Sequence, residues 1–581
     1  MSDVLRIANC SGFYGDRISA AREMVEGGPI DVLTGDYLAE LTMMILLKDK
    51  MKKAETGYAK TFLRQLQEVA KSCSERDIKI VVNAGGLNPA GLANAAKKIY
   101  ADQGVSAEVA YIEGDNLLPR LQELQDSGEK LAHLDRGVPL SDLEAEVLSA
   151  NAYLGGWGIN QALQRGADLV IAPRVTDAAV VVGPAAWKFG WARDDWDQLA
   201  AAVVAGHIIE CGTQCTGGNY SHFQEIKKMT RAGFPIAEMN ADGSFVITKH
   251  PGTDGEVSVG TITAQLLYEI GPIRYANPDV IARFDTLQLE QEGPDRVRVS
   301  GIRGEPAPPT IKVCMNYLGG FKNSTTFVIP GGDTEAKAKR AEENFWEYVG
   351  GRDQFEETMV SLRRGSHDGH DAFALLTIGA RDLDEKKVSR GYWNAGVELS
   401  LASYPGVNLT STSRSASAIT IYWPALVSSN KVDERVIVGN EVVPIPPPEI
   451  PASFEEIPEA AKPTGSVPSG PTRKAPLGSV CGARSGDKGG NANVGFWATS
   501  PEAYLWLDDF LTPDKIRELY PEAAKLDVTR HPLPNMLSIN FVIHGLLGEG
   551  VSASLRPDAQ AKMLGEELRG VPVEIPESLL G

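Results

Sequence analysis

The sequence has no hydrophobic run long enough to cross a membrane. Its most apolar stretches, residues 41–47 and 537–547, are shorter than the roughly 18 residues that a spanning helix needs. The N-terminal residues also lack the basic region and the longer apolar region of a signal peptide. We therefore expect no membrane partner and a cytoplasmic location.

Cysteine is scarce as well. The chain of 581 residues contains six cysteines, and they are scattered too widely for the disulfide framework of a secreted protein. This distribution favours the reducing cytosol.

Positive charge is deficient. The chain has 57 Lys and Arg residues and 76 Asp and Glu residues, which gives a net charge of −19. The mean field of such a chain repels the phosphates of nucleic acid, so we expect no nucleic-acid partner. An anionic substrate, such as a small carboxylate or an acyl-CoA, would need a local basic patch.

Nucleotide-binding fingerprints are also missing. The loop after the first predicted strand, Ser-Gly-Phe-Tyr-Gly-Asp at residues 11–16, lacks the G-x-G-x-x-G spacing, and no G-x-x-x-x-G-K-[ST] loop occurs anywhere. Bound NAD, FAD or ATP is therefore not supported, and the cofactor stays unknown.

The length and the 43% hydrophobic content favour two or three domains, since single cores stop growing near about 250 to 300 residues. We expect a main domain over residues 1–442, divided into an α/β part (1–275) and an α+β subdomain (276–442). Ten prolines between residues 442 and 476 predict a semi-rigid linker over 443–476. Residues 477–581 are long enough to fold as a small ferredoxin-like α+β domain.

Short β-branched runs alternate with amphipathic stretches in the first 220 residues or so, which predicts a Rossmann-like parallel sheet with helices on both faces. The predicted strands are residues 4–8, 30–33, 78–82, 107–112 and 167–171. The predicted helices are residues 18–25, 37–54, 61–74, 90–102, 117–125 and 140–165. In the next part, strands are predicted at 296–300, 311–316, 325–329, 373–378 and 418–422, and a helix at 334–349.

Each predicted parallel strand is followed by glycine or compact polar residues. Because the carboxyl ends of parallel strands share one rim, these side chains are expected to meet in one pocket. They are Asp36, Asn83, Asp115, Arg174 and Asp177, with Ser11 and Cys211 at the edge. The alternative for any single loop is that these residues only cap helices or make turns.

Two carboxyl groups of this set, Asp36 and Asp177, are the candidates for proton transfer, and Arg174 is the candidate anchor for a substrate carboxylate. Asn83, Asp115 and Ser11 are candidate substrate contacts.

Residues 206–219 place Cys211 and Cys215 beside a histidine and a carboxylate, ahead of a Gly-Gly turn. Cys211 is a candidate nucleophile if a neighbour lowers its pKa, and the alternative is a small buried hydrophobe. The two cysteines have no second sulfur pair at zinc spacing. The segment His367-Asp-Gly-His-Asp371 could offer ligands to a metal or form a solvated turn, and no metal site is assigned.

The run Arg484-Ser-Gly-Asp-Lys-Gly-Gly-Asn-Ala-Asn493 combines cations with flexible backbone. Such a loop can surround an anion with amides and positive charge, so Arg484 and Lys488 are candidate substrate-binding residues. A purely structural loop is the alternative.

Several of these motifs together resemble the acyclic terpene utilisation A (AtuA) family. The resemblance lies in residues 11–17, 35–40, 83–86 and 206–212 with 216–219, while residues 484–488 resemble the small ferredoxin-fold domain often fused behind the main domain. It implies a role in bacterial breakdown of acyclic terpenes such as citronellol and geraniol, through branched acyl-CoA intermediates. It supplies no catalytic mechanism.

Two functions follow from the residues and the resemblance. The first is an enzyme without a redox cofactor that performs hydration, hydrolysis or C–C cleavage on a branched carboxylate or acyl-CoA. The second is a non-catalytic partner that binds acyl-CoA or organises a neighbouring enzyme. A homo-oligomer is compatible with either.

Overall fold

The computed structural model describes residues 4–365, 372–449 and 463–580. The motif at residues 367–371 and part of the predicted linker lie outside the described residues. Within the described part of the chain, no helix is long and apolar enough to cross a membrane.

The strands, in chain order, are β1 (Val4–Asn9), β2 (Val32–Gly35), β3 (Lys79–Gly86), β4 (Val109–Glu113), β5 (Val147–Ala152), β6 (Leu169–Pro173), β7 (Pro235–Asn240), β8 (Phe245–Lys249), β9 (Arg274–Ala276), β10 (Ile281–Arg283), β11 (Gln288–Gly293), β12 (Arg296–Ser300), β13 (Arg303–Glu305), β14 (Thr310–Pro330), β15 (Glu357–Arg364), β16 (Phe373–Asp382), β17 (Asn408–Thr412), β18 (Ser417–Ser428), β19 (Arg435–Val438), β20 (Glu441–Pro444), β21 (Thr472–Pro476), β22 (Cys481–Lys488), β23 (Asn491–Ala498), β24 (Val528–Leu533), β25 (Ser538–Ile543) and β26 (Pro572–Pro576).

The helices are α1 (Ala20–Gly27), α2 (Glu40–Lys52), α3 (Lys60–Glu75), α4 (Pro89–Asp102), α5 (Leu121–Asp126), α6 (Trp157–Gln164), α7 (Ala179–Phe189), α8 (Trp196–Ile209), α9 (Val259–Leu266), α10 (Thr334–Tyr348), α11 (Glu385–Val388), α12 (Arg390–Glu398), α13 (Pro501–Phe510), α14 (Pro513–Leu519) and α15 (Leu564–Arg569).

The main sheet has eleven strands in the order β11-β12-β8-β7-β1-β2-β3-β6-β4-β19-β20. The five predicted strands are its central block, β1-β2-β3-β6-β4, and they are parallel. The other six strands pair antiparallel on the two sides of this block. The predicted Rossmann-like parallel sheet is thus found only in part, because hairpins extend it into a mixed sheet.

Helices cover both faces of the parallel block. Successive side chains of a strand point to opposite faces, and accordingly Ile7 of β1 packs with α6, α7 and α8, while Ala8 packs with α1 to α4. Along the chain, strands β1, β2, β3 and β4 are placed in one direction across the sheet, and the next strand, β6, lies back between β3 and β4. Because crossovers between parallel strands are right-handed, this reversal moves the next helices to the other face.

The predicted helix at residues 140–165 is wrong. That segment contains β5, then a break at Gly155 and Gly156, and then the shorter helix α6. Strand β5 is stabilised by pairing with β14, in which Asn151 faces Cys314. Pairing with a strand about 160 residues later in the chain overrides the local helical pattern.

A second sheet is built around β14, which pairs with β5 and β18 in its first half and with β16 and β17 in its second half. The two strands predicted at 311–316 and 325–329 are parts of this one strand, while the predicted helix at 334–349 is α10. Strand β5 belongs to this sheet, and β11, β12 and β19 belong to the main sheet. The sheets therefore do not separate at residue 275.

The C-terminal part has its own hydrophobic core and a four-stranded antiparallel sheet in the order β22-β23-β25-β24, accompanied by α13, α14 and α15. Residues 472–476, predicted as the end of the linker, form β21 and pair with β26. Because β21 supplies the partner for the backbone groups of β26, the folded C-terminal unit includes residues 472–476 and begins earlier than predicted. This unit docks against the chain that follows α9.

Candidate functional site

The candidate site lies at the carboxyl ends of β2, β3 and β6. Asp36 directly follows β2, Asn83 lies near the end of β3, and Arg174 directly follows β6. Between β3 and β6 the connections turn to opposite faces, which is where open α/β sheets bind ligands. The fold therefore brings together side chains that are up to about 140 residues apart in the sequence.

Asp36 is buried and held by the two neighbouring strands. Its backbone N–H donates to Ser11 O at 2.9 Å, and its Oδ1 accepts hydrogen bonds from Asn83 Nδ2 and from Leu38 N. Burial and the nearby Asp177 carboxylate raise the pKa of Asp36 well above its usual value. A carboxyl group whose pKa is raised in this way keeps its proton to a higher pH than an exposed aspartic acid does.

Arg174 is 2% exposed and is fixed on three sides. Its Nη1 donates to Asp177 Oδ1 at 2.9 Å and to Leu38 O at 2.9 Å, and its guanidinium lies 4.2 Å from the centre of the Tyr153 ring. Its buried Nε has no hydrogen-bond partner among the described residues. Since a buried donor without a partner is costly, Nε is left with one hydrogen bond to donate to an anionic or carbonyl oxygen.

Beside Arg174 lie Glu40 and Lys312, which were not predicted as site residues from the sequence. Tyr153 Oη donates to Glu40 Oε1 at 2.6 Å, and Lys312 Nζ lies 4.0 Å from the same oxygen. Burial raises the pKa of Glu40, but Lys312 and Arg174 outweigh it and bring this pKa down to about 2. Glu40 is thus a charged partner of the two cations.

A further acidic residue, Glu210, directly follows α8. Glu210 is 7% exposed, its Oε2 has no hydrogen-bond partner among the described residues, and burial and Asp177 raise its pKa. His207 Nδ1 lies 3.1 Å from Glu210 Oε1. Burial lowers the pKa of His207 to about 4, so its imidazole is uncharged at neutral pH.

Cys211 follows Glu210 and contacts the loop after β1, because a Cβ on Gly12 would lie 2.6 Å from the Cys211 backbone. Burial and the carboxylates of Glu210 and Glu269 raise the pKa of the Cys211 thiol. A nucleophilic thiolate needs the opposite environment. The predicted nucleophilic role of Cys211 therefore has no electrostatic support, although the residue lies at the site.

The C-terminal domain reaches the same region through β22. Lys488 Nζ donates to Glu269 O at 2.6 Å, and its charge acts on Glu210, His207 and Lys312. Arg484 donates to Gln214 and lies 4.2 Å from the centre of the Tyr268 ring. Both predicted cations thus come from the second domain to a site built mainly by the first.

We call these groups the polar cluster, because each acts electrostatically on others of the set. It comprises Asp36, Glu40, Arg174, Asp177, Glu210, Glu269, Lys312 and Lys488.

Two of the predicted site residues, Ser11 and Asp115, contact the polar cluster only through backbone groups. Ser11 contributes its backbone carbonyl to Asp36 while its hydroxyl donates to Phe13 O. The Asp115 carboxylate accepts hydrogen bonds from Asn151 Nδ2 at 2.7 Å and from Arg174 N. It lines a separate cavity of about 480 Å³ beside the start of α4.

Three site residues that were not predicted, Glu40, Lys312 and Glu269, differ in how far the sequence could have indicated them. Glu40 closes the motif at residues 35–40, so its placement after β2 could have been inferred. Lys312 lies inside a strand pattern and Glu269 in a short connection after α9, where nothing local distinguishes them from surface residues. In the described part of the chain, no three His, Cys, Asp or Glu side chains are grouped closely enough to hold a metal ion.

Comparison with known proteins agrees with these structural units. Residues 5–438 match the family model described as acyclic terpene utilisation family protein AtuA. Residues 475–574 match the AtuA ferredoxin-like domain, which confirms the predicted type of the C-terminal domain. No curated protein gives a significant match to the chain.

Proposed function

The chain belongs to the AtuA family, whose name indicates involvement in acyclic terpene utilisation, and we propose that it is an enzyme acting by proton transfer without a redox cofactor. Its substrate is a branched carboxylate or the corresponding acyl-CoA, and the reaction is the addition or removal of water, hydrolysis or C–C cleavage. The observation that carries this proposal is the buried Asp36 carboxyl beside the Arg174–Asp177 ion pair.

Asp36 supplies the acid. Its Oδ1 receives both hydrogen bonds described for the carboxyl group, so Oδ2 is the oxygen that can carry and donate the proton. Enzymes commonly raise a carboxyl pKa by burial to make a general acid available near neutral pH.

Asp177 supplies the complementary carboxylate. Its side chain is 32% exposed and bonded to Arg174, so water or substrate can reach it while its position stays fixed. Two carboxyl groups on one rim, one of them with a raised pKa, can divide the roles of acid and base on one small molecule.

The cations of the polar cluster supply the anchor. Arg174, Lys312 and Lys488 face a set of acids in which burial raises the pKa of Asp36, Glu210 and Glu269. A raised pKa favours the uncharged form of these acids and so reduces the negative charge around the cations. This balance supports binding of a substrate carboxylate or thioester carbonyl despite the net charge of −19.

The test is Asp36→Asn, which removes the acidic proton at nearly constant volume. Purified wild-type protein and variant are incubated with a panel of branched carboxylates and acyl-CoAs, and products are followed by mass spectrometry. We expect the variant to lose about 10²- to 10⁴-fold in rate, the usual contribution of one general acid, while its Tm changes little.

The matched control is Asp279→Asn. Asp279 is also buried, and burial raises its pKa to about 6, but its Oδ2 accepts a hydrogen bond from Gly156 N away from the polar cluster. This variant should keep its activity. Binding of acyl-CoA by the wild-type protein without any turnover would favour a non-catalytic partner instead and would refute the proposed enzyme.

A further inference from the structure

Glu269 has a strained backbone. Its φ is +56°, in the left-handed region that a residue with a side chain rarely occupies. Such a conformation costs about 1–3 kcal/mol and persists only where surrounding groups enforce it. We therefore expect contacts around the short connection after α9 that hold Glu269 in this conformation.

The constraint comes from the C-terminal domain. Asn493 Oδ1 accepts a hydrogen bond from Glu269 N at 2.9 Å, and Lys488 Nζ donates to Glu269 O at 2.6 Å. Both backbone polar groups of Glu269 are thus bonded by side chains more than 200 residues later in the chain.

The asparagine that binds Glu269 is itself fixed. Asn493 is fully buried, and its Nδ2 donates to Leu267 O at 2.7 Å and to Asn540 Oδ1 at 2.9 Å. Asn540 in turn donates to Gly271 O at 2.9 Å. Two buried side-chain amides therefore bind the backbone on either side of Glu269. The arrangement is specific, because the loss of any of these hydrogen bonds would leave a buried polar group without a partner.

Glycines in the C-terminal sheet permit this close approach. A Cβ on Gly495 would lie 2.6 Å from Leu267 Cβ, and one on Gly486 would lie 3.0 Å from Glu269 Cγ and 2.5 Å from a ring carbon of Tyr268. Side chains at either glycine would push the connection away. The surface of β22 and β23 is therefore shaped to receive residues 267–269.

The side chain of Glu269 lies against β22, where a Cβ on Gly486 would be 3.0 Å from its Cγ, and its carboxyl group interacts electrostatically with members of the polar cluster. Its charge acts on Glu210, Cys211 and Tyr275, and it interacts in turn with Lys488, Glu40 and Asp177. The start of α2, the residues that follow β6 and α8, and the C-terminal domain thus all act on one carboxyl group.

We propose that Glu269 is a substrate-contacting carboxylate of the active site and that the docked C-terminal domain, through the positioning residues Asn493 and Lys488, holds it there. The substrate contact rests on the proposed function. The C-terminal domain is then an integral half of the active site, and its covalent attachment keeps the strained connection in the productive conformation.

The positioning is tested by hydrogen–deuterium exchange of the full chain. The amide of Glu269 should be protected in the wild-type protein and should exchange at least about tenfold faster in Asn493→Ala and in Lys488→Met, because each variant removes one of the bonds that hold the connection. Two variants are used because loss of a buried asparagine can reduce overall stability. Unchanged protection in both would overturn the positioning by the C-terminal domain.

The substrate contact is tested by Glu269→Gln, which preserves the shape of the side chain. We expect kcat/KM to fall about 10²- to 10³-fold with unchanged exchange at residue 269, and Asn493→Ala to lower kcat more than it raises KM. Undiminished turnover by Glu269→Gln would overturn the contact.

The control is Asp333→Gly. Asp333 is another left-handed residue, with φ +58°, but it is exposed at the start of α10. Relief of strain there should leave activity and the exchange of Glu269 unchanged. Absence of turnover by the wild-type protein with every substrate would refute the proposed function and the substrate contact with it, while exchange would still decide the positioning.

Discussion

Two carboxyl groups near the rim show how neighbours decide the effect of burial. Burial raises the pKa of both Glu40 and Asp115, but Lys312 and Arg174 bring that of Glu40 down to about 2. Asp115 is met by the neutral amide of Asn151 and by backbone N–H groups, so its pKa rises to about 7. Glu40, whose side chain is 36% exposed and lies beside two cations, is thus an anion, whereas Asp115, 4% exposed among neutral partners, titrates near neutrality.

The raised pKa of Asp115 predicts a dependence of stability on pH. The unfolded carboxyl has a pKa near 3.8 and the folded one about 7, so between these values the folded state binds more protons and stability falls as pH rises. Asp115→Asn stays neutral and keeps an oxygen for Asn151. We expect its Tm to fall less than that of the wild-type protein between about pH 5 and pH 8, in thermal unfolding followed by circular dichroism. Equal losses in both proteins would contradict the titration of Asp115.

At the scale of elements, β14 joins the two halves of the second sheet. Its register against β18 shifts between Leu318 and Phe321, at Gly319 and Gly320. Gly320 has φ +102°, and a Cβ there would lie 2.7 Å from Asp382 O. The glycine thus permits one strand to change partners without interrupting the hydrogen bonding of the sheet.

Gly320→Ala should therefore destabilise the protein by about 1–3 kcal/mol, since it combines left-handed strain with a backbone clash. Urea unfolding measures the change. Gly332→Ala is the matched control, because a Cβ at Gly332 would meet nothing within 4 Å. A loss no larger at Gly320 than at Gly332 would show that the bend tolerates a side chain.

At the scale of the whole molecule, the C-terminal domain is attached by contacts as well as by the chain. Besides the bonds to residues 267–271, Asn535 Nδ2 donates to Phe284 O and Leu287 O at 2.9 Å. Arg381 of β16 also pairs with Glu549. These contacts join the domain to the part of the chain that builds both sheets.

The proline-rich composition of residues 443–471 predicts that limited proteolysis cuts there first. We expect the two fragments to remain together in size-exclusion chromatography after the cut, because the interface contains fully buried hydrogen bonds. Elution as separate fragments would show that the covalent connection alone holds the domain. Asn540→Ala should weaken the association and serves as the comparison.

The sequence by itself determined the parallel block and much of its rim. Local periodicity marks strands and helices, and the common direction of parallel strands brings Asp36, Asn83, Arg174 and Asp177 to one edge. The long motifs were also sufficient for the family assignment. These features depend on local pattern and on general rules of chain connection, so they can be inferred without coordinates.

Only the tertiary structure decided which distant groups complete the site. Lys312 meets Glu40 because β14 pairs with β5, and Lys488 meets Glu269 because the C-terminal sheet docks on the connection after α9. The same pairing turned a predicted helix into β5. Such contacts join residues hundreds of positions apart in the sequence, and the local sequence pattern does not indicate which distant surfaces will pack together. The pKa of each group depends on its burial and its neighbours, and these are set only when the surfaces pack.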